Sequence, residues 1–251
     1  MHLFAAQPGG YVDDEGIIDL AQSPADIIIL SAADSNLSAL AQAADTLDNN
    51  FPSIRLANWM HLVKPAAYDL YEQQVLDHAK VVVVSLLGGA SYWQYGFEQL
   101  QSWASRTQGT LIFVPGDDSE DHELFDACTT SQQHSQWVWR YVRESGVENS
   151  QQLFKFLAHH YLDHSCHWKP PKALPACVLY MPQSLKPSIK DHHLSANNDV
   201  SLLDWQTLWH AKGHDKNSDV CMVLFYRSHL QSANTDMFDD LIKSLLDQGI
   251  S

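Results

Sequence analysis

Two long apolar runs constrain the fold of this chain more than any other feature of its sequence. Residues 25–32 read ADIIILSA, and residues 81–87 read VVVVSLL. Runs of β-branched residues without polar alternation are typical of strands buried on both faces, as in a parallel sheet covered by helices. Both runs are far shorter than the roughly 20 apolar residues that a membrane span requires, so we expect no membrane association.

Helical patterns alternate with strand patterns along the first 168 residues. Shorter strands are predicted at residues 2–6, 53–57 and 110–114, and helices at residues 36–47, 69–78, 92–105 and 137–161. This alternation predicts an α/β fold with a parallel, flavodoxin- or Rossmann-like sheet. Ligands of such sheets bind beyond the carboxyl ends of the strands, so the residues that follow each strand are the first candidates for a site.

A stiff, proline-rich stretch at residues 169–175, KPPKALP, divides the sequence. We therefore predict an α/β domain over residues 1–168 and the beginning of a second α/β domain over residues 176–251. In the second region, strands are predicted at 176–181 and 220–226, and helices at 200–209 and 236–246. Two strands are too few for an independent sheet, so we expect a truncated domain with residues 220–226 near an unpaired edge. The alternative is a small strand–helix appendage packed on the first domain.

The charge of the chain excludes one class of partner. Lys and Arg total 15 against 30 Asp and Glu, which gives a formal net charge of −15. A chain this acidic does not attract nucleic acid or anionic lipid through its overall field. The four cysteines form no CxxC pair and the first residues show no leader pattern, so we expect a cytoplasmic protein with reduced thiols. The sequence also contains no GxGxxG, GxxxxGK[ST], GxSxG or HExxH motif.

The segment after the second apolar run is the most distinctive candidate for a ligand site. Gly88 and Gly89 permit a positive φ and a close approach of the backbone, and Ser91 is a candidate helix cap. Tyr92 and Trp93 add flat aromatic surface. Together these features suit a large planar ligand with carboxylate or amide edges. The alternative is a structural turn with aromatic side chains that fill the core.

Two further strand ends carry candidate ligand-binding residues. Ser31 and Asp34 follow the first apolar run, and Asp117 and Asp118 follow the strand predicted at residues 110–114. Carboxylates in these positions bind a ligand or a metal ion in some proteins, and they form a turn and a helix cap in others.

Histidine and cysteine residues cluster between positions 159 and 167. His160 and His164 are four residues apart, which places both on one face of a helix at metal-ligand spacing. A zinc or cobalt site is one interpretation of this cluster. A solvated helix end is the other.

Several short sequence blocks occur in an order known from one protein family. The blocks are MHLFAA (1–6), DLAQSPAD (19–26), LSAAD (30–34), RLAN (55–58), DLY (69–71), HAKV (78–81), LGGASYW (87–93) and PGDD (115–118). Weaker similarity continues through WRY (139–141) and VLFYR (223–227). In this order the blocks resemble the large, CobN-type subunit of aerobic cobaltochelatase, which is related to the large H subunit of magnesium chelatase.

The resemblance implies a function in aerobic cobalamin biosynthesis. Large subunits of this family bind the corrin precursor hydrogenobyrinic acid a,c-diamide and host the insertion of cobalt, while separate AAA+-type subunits hydrolyse ATP. We therefore expect a tetrapyrrole-binding and assembly portion that binds no cofactor by itself, with cobalt as a substrate of the complex. Members of the family are several times longer, and the residues thought to assist metal insertion lie mostly beyond position 251, so no catalytic residue is carried over.

Two departures from the family pattern concern the ligand contacts. Ser85 occupies a position that is often basic in relatives, and residues 186–198 match none of the blocks named above. Two other functions remain open from the sequence: a flavodoxin-like module that holds a flavin, and a non-catalytic scaffold that docks the AAA+ partners.

Overall fold

Our computed structural model describes residues 16–175, 177–182, 184–185, 201–211, 213 and 218–250. The strand predicted at residues 2–6 and the stretch at residues 186–198 therefore lie outside the described residues. The chain divides into two compact units, Met1–Lys172 and Ala173–Ser251. The division falls within the proline-rich stretch at residues 169–175.

A parallel sheet forms the centre of the first unit. Within the described residues its strands are β1 (Ile27–Ser31), β2 (Ile54–Ala57), β3 (Val81–Leu86) and β4 (Thr110–Pro115), in the order β2-β1-β3-β4. Every residue of β1 and β3 is buried, because these strands lie in the middle of the sheet with helices on both faces. The predicted parallel α/β fold is confirmed, and the two apolar runs are the two central strands.

Helices of the first unit cover both faces of the sheet. They are α1 (Asp34–Ala44), α2 (Pro65–Gln74), α3 (Gln94–Thr107), α4 (His122–Asp126), α5 (Gln132–Glu144) and α6 (Gly146–Tyr161), with short 3-10 helices at Trp59–Leu62, Leu76–His78 and Ala90–Trp93. The helical pattern predicted over residues 137–161 is confirmed except for one break at Ser145. Ser145 and Gly146 both have a positive φ, which interrupts the helix and separates α5 from α6.

Alternate side chains of each strand enter two different cores, because successive residues of a strand point to opposite faces. Ile28 of β1 belongs to a cluster that contains Trp103 of α3. Ile29, the next residue, belongs to a cluster that contains Leu40 of α1 and Phe156 of α6. The sheet is thus held between two apolar layers, and its carboxyl edge remains the place where the connecting loops emerge.

In the described part of the second unit, most of the regular secondary structure is helical. Its helices are α7 (Leu202–Ala211), α8 (Ser228–Gln231) and α9 (Asp236–Asp247), and α7 and α9 agree with the predicted helices. The strands predicted at 176–181 and 220–226 are wrong for the described residues, where Leu179 forms a single bridge and residues 220–226 form no strand. A strand requires a bonded partner, and the backbone groups of residues 220–225 form no hydrogen bond with described residues. Among the described residues, the parallel α/β sheet therefore belongs to the first unit.

None of the helices in the described ranges is long and apolar enough to cross a membrane. The longest described helix is α6, with 16 residues, and it carries polar residues such as Glu148 and Lys155.

Candidate functional site

The loops that follow β1, β3 and β4 emerge at the carboxyl edge of the sheet. The strand register aligns Ser31 with Ser85 and Leu86 with Pro115, so these three strands end at nearly the same level. β1 and β3 are neighbours although β2 lies between them in sequence, which makes their ends the topological switch point of the sheet. Open α/β sheets bind ligands at such a point, and we take this edge as the candidate site.

The glycine turn after β3 has a backbone conformation that favours glycine. Gly88 has a φ of 91°, and Gly89 has a φ of 77° with a ψ of −173°; the latter combination is essentially restricted to glycine. The ring of Tyr92 folds over this turn, since a Cβ atom on Gly88 would lie 2.9 Å from its Cδ2 atom. Tyr92 is 42% exposed, so the turn is flanked by an accessible aromatic ring.

Trp93 does not present its ring to solvent, which corrects the expectation that both aromatic residues face a ligand. The side chain is buried and stacks on Trp59, with ring centroids 5.2 Å apart and an interplanar angle of 10°. Trp59 is fixed in turn, because its Nε1 donates to the backbone oxygen of Ser85 at 2.9 Å. Adjacent residues of the 3-10 helix at Ala90–Trp93 point in different directions, so Tyr92 faces outward while Trp93 supports the turn from inside.

The residues after β1 are only partly available to a ligand. Ser31 is buried, and its Oγ accepts a hydrogen bond from the N–H of Ala33 at 3.1 Å. Asp34 accepts a hydrogen bond from Nδ2 of Asn58 at 2.9 Å, and this contact joins the loops that follow β1 and β2. Asn58 was missed by sequence reasoning, although an asparagine directly after a strand and before a helical turn is a known cap signal. Its Oδ1 accepts from the N–H of Met60.

The loop after β4 is held by local hydrogen bonds and approaches the glycine turn through a residue that the sequence did not single out. Oδ1 of Asp117 accepts from the N–H of Ser119 at 2.9 Å, and the exposed Asp118 lies 3.9 Å from Arg143. Asp121 caps α4 by accepting from a backbone N–H with one oxygen. Its other oxygen, Oδ2, would lie 3.1 Å from a Cβ atom on Gly89.

The structure thus brings some of the predicted residues together and separates others. Asp121 approaches the glycine turn at Gly89, and Tyr92 packs against the same turn. Asp34, in contrast, is paired with Asn58 in the loops that follow β1 and β2. Carboxylates dominate these loops, so the edge accepts hydrogen bonds from amide and ammonium groups more readily than it binds acids.

His160 and His164, the predicted metal ligands, do not lie on one face of a helix. α6 ends at Tyr161, and Asp163 has a φ of 51°, so His164 does not follow His160 on a helical face. The ring of His160 lies 4.6 Å from that of His134, while His164 contacts Phe51 at 5.2 Å. Among the described residues, no group of three or more His, Cys, Asp or Glu side chains is arranged to hold a metal ion.

The sequence of the chain is similar to one protein family along its whole length. Residues 139–251 match the family described as CobN/Magnesium Chelatase. The aerobic cobaltochelatase subunit CobN of Pseudomonas aeruginosa is 40% identical over 251 residues, and that of a Sinorhizobium species is 33% identical over 253 residues. Both matches cover 100% of this chain, which spans 19% of the length of each relative.

A solved structure supports the fold. The chain is similar to the catalytic subunit of cobaltochelatase from Mycobacterium tuberculosis, with a TM-score of 0.62 and 23% identity, over 90% of this chain and 15% of that one. At this identity the likeness concerns the fold alone. The end-to-end identity to two CobN subunits, together with the family match over residues 139–251, shows that the chain belongs to the CobN/Magnesium Chelatase family.

Proposed function

We propose that this chain is a portion of the large subunit of an ATP-dependent cobaltochelatase, in which it contributes to tetrapyrrole binding and to subunit assembly. The observation that carries the proposal is the 40% identity to a CobN subunit along all 251 residues. In the proposed reaction the tetrapyrrole is hydrogenobyrinic acid a,c-diamide, cobalt is inserted into it, and AAA+-type partner subunits hydrolyse ATP. The lack of a phosphate-binding glycine motif in the sequence supports the last point.

The charge of the carboxyl edge favours the amide groups of this ligand. Asp34 and Asp121 carry acceptor oxygens at the edge, and the two carboxamides of an a,c-diamide supply N–H donors. A carboxylate of the ligand meets like charge at these positions and is better placed against backbone N–H groups of the turn at Gly88. Tyr92 packs its exposed ring against the macrocycle, a contact worth on the order of 1 kcal/mol.

A titration tests the contact at Tyr92. The corrin precursor is added to the wild-type chain, to Tyr92→Ala and to Tyr226→Ala, a matched control on an exposed tyrosine of the second unit, and the macrocycle absorbance is followed. We expect Tyr92→Ala to raise the Kd about fivefold, the equivalent of roughly 1 kcal/mol, and Tyr226→Ala to leave it unchanged. Equal Kd values for all three folded proteins would show that the turn is structural and that the ligand does not bind there.

A second experiment tests the division of labour among subunits. The purified chain is expected to hydrolyse no ATP and to insert no cobalt, and measurable phosphate release above that of a mock purification would contradict this expectation. Co-purification with the AAA+ partners, with and without the corrin precursor, separates assembly from ligand binding. Retention of the partners by a chain that does not change the corrin spectrum would identify a docking scaffold instead.

A further inference from the structure

Residues 220–226, VCMVLFY, expose a row of large apolar side chains. The segment contains no proline and no charged residue. Val220, Met222, Leu224 and Tyr226 alternate along it and are 56%, 79%, 84% and 83% exposed, respectively. Contiguous apolar surface of this kind on a folded chain marks a place where another polypeptide or a ligand packs.

The opposite side of the segment is anchored within the second unit. Phe225 stacks on Phe238 of α9, with ring centroids 4.0 Å apart and an interplanar angle of 14°, and Phe238 is buried. Arg227, the next residue after the segment, donates to the backbone oxygen of Leu174 at 3.1 Å. Phe225 therefore has a core partner in the second unit, while the alternate side chains are largely exposed.

Most of the backbone of the segment also has no hydrogen-bond partner among the described residues. The N–H and C=O groups of residues 220–225 form no hydrogen bond with any described residue. A cavity of about 600 Å³ runs beside the segment and is lined mainly by apolar side chains, among them Trp205 and Leu245. A row of N–H and C=O groups with no partner in the described part of the chain, together with exposed apolar side chains, is a template for an added β-strand.

We infer that residues 220–226 form an edge that pairs with an apolar β-strand supplied by the rest of the large subunit. The curated relatives match this chain over its full length yet are about five times longer, so they contain the polypeptide to supply the strand. A strand fits better than a helix, because a helix bonds its own backbone groups and leaves the edge unsatisfied. A second copy fits less well, because two chains of net charge −15 repel one another.

Hydrogen exchange followed by mass spectrometry tests this inference. The isolated chain is compared with a chimera in which it replaces the matched fifth of the Pseudomonas aeruginosa subunit. Amides of residues 220–226 are expected to exchange freely in the isolated chain and at least about 100-fold more slowly in the chimera. Should the chimera not fold, the natural relative and its own matched fifth give the same comparison.

Two variants separate strand pairing from general stabilisation. Leu224→Asp alters the exposed row, and Met237→Asp alters an exposed apolar residue of α9 and is the matched control. Leu224→Asp should abolish the slow exchange in the chimera, and Met237→Asp should retain it; both should leave the isolated chain unchanged.

Three results would overturn the inference: free exchange at residues 220–226 in the chimera, equal protection in the isolated chain, or retained protection in Leu224→Asp. The inference rests on the proposal that the chain is part of a longer subunit. It does not depend on tetrapyrrole binding at the carboxyl edge, because no corrin is added.

Discussion

Replacement of Gly96 by alanine sets two opposite effects against each other. Gly96 is a buried residue near the start of α3, and in a helix interior alanine is more favourable than glycine by about 1 kcal/mol. A Cβ atom at this position would, however, lie 2.1, 2.3 and 2.4 Å from atoms Cε2, Cζ2 and Cδ2 of Trp93. Carbon atoms in contact are normally about 3.5 to 4.0 Å apart, so the indole has to move by more than 1 Å.

The surroundings of Trp93 oppose this movement. Its ring stacks on Trp59 at 5.2 Å and meets the buried Tyr68 edge-on at 5.8 Å. Overpacking a core of this kind costs about 1–3 kcal/mol, and a displacement this large belongs at the upper end of the range. After the gain of about 1 kcal/mol from helix propensity, we expect Gly96→Ala to lower the free energy of unfolding by about 2 kcal/mol.

Hydrogen exchange at the amides of β3 gives the required free energy. The chain has two units, so a single melting curve does not report one two-state transition, whereas the slowest amides of β3 report the opening of the first unit. Ser102→Ala, at an exposed position of α3, is the control for propensity and should stabilise by a few tenths of a kcal/mol. Trp93→Phe removes the indole atoms that the new methyl group would strike.

The double variant decides whether the steric reasoning is correct. If Trp93 is the obstacle, Gly96→Ala costs less in the Trp93→Phe background, and the two changes are not additive. Additive effects, or a Gly96→Ala chain as stable as wild type, would refute the argument.

Two further predictions concern titratable groups. Burial, and then the neighbouring His134 and a second histidine, lower the pKa of His160 below its usual 6.5. The unfolded chain therefore binds a proton there before the folded chain does, so the free energy of unfolding of the first unit should fall as the pH drops below about 6.5. The fall should be less steep in His160→Gln, as measured by the slowest amides of β3 between pH 7.5 and 5.5 after correction for the intrinsic exchange rate at each pH. Burial raises the pKa of the Cys128 thiol to about 11, so iodoacetamide at pH 7.5 should label the exposed Cys177 and Cys221 first; equal labelling by peptide mapping would contradict this.

The central strands were predictable because their burial does not depend on a single partner. Residues 25–32 and 81–87 read as strands from composition alone, and β1 and β3 are indeed buried along their whole length. The break between α5 and α6 was not predicted, because Ser145 adopts a positive φ that its residue type does not require. The Ser145–Gly146 pair was the available signal, since glycine at a helix boundary commonly accompanies such a conformation.

Residues 220–226 show the opposite situation. Their composition favours a strand as strongly as that of β3, yet residues 220–226 form no strand with any described residue. Strand propensity measures how well side chains pack on a pleated surface, and the ladder itself needs hydrogen bonds from a neighbour. The sequence shows that this segment can form a strand, and whether it does depends on a neighbouring strand that supplies hydrogen bonds.

The candidate site was predictable in its backbone and less so in its side chains. The adjacent Gly88 and Gly89 indicated a positive φ, and both have one. Tyr92 and Trp93 were equivalent in the sequence, because only the direction of the short helix determines that Tyr92 is exposed and Trp93 is buried. The pairing of Asp34 with another loop depended on strand order, which local patterns do not contain.

In the proposed complex, the charge of the carboxyl edge limits which part of the tetrapyrrole it receives. Asp34 is already bonded to Asn58, and Asp121 bonds the first turn of α4 with one oxygen while the other faces the glycine turn. A ligand carboxylate beside either residue meets a like charge. Arg143 offsets charge only in the loop after β4, where its Nε lies 3.9 Å from Oδ1 of Asp118. An amide avoids this repulsion and can donate to the remaining acceptor oxygens. In the proposed complex, the edge therefore distinguishes an amidated side chain from a free acid, and a less acidic part of the large subunit is needed to neutralise the carboxylates that remain.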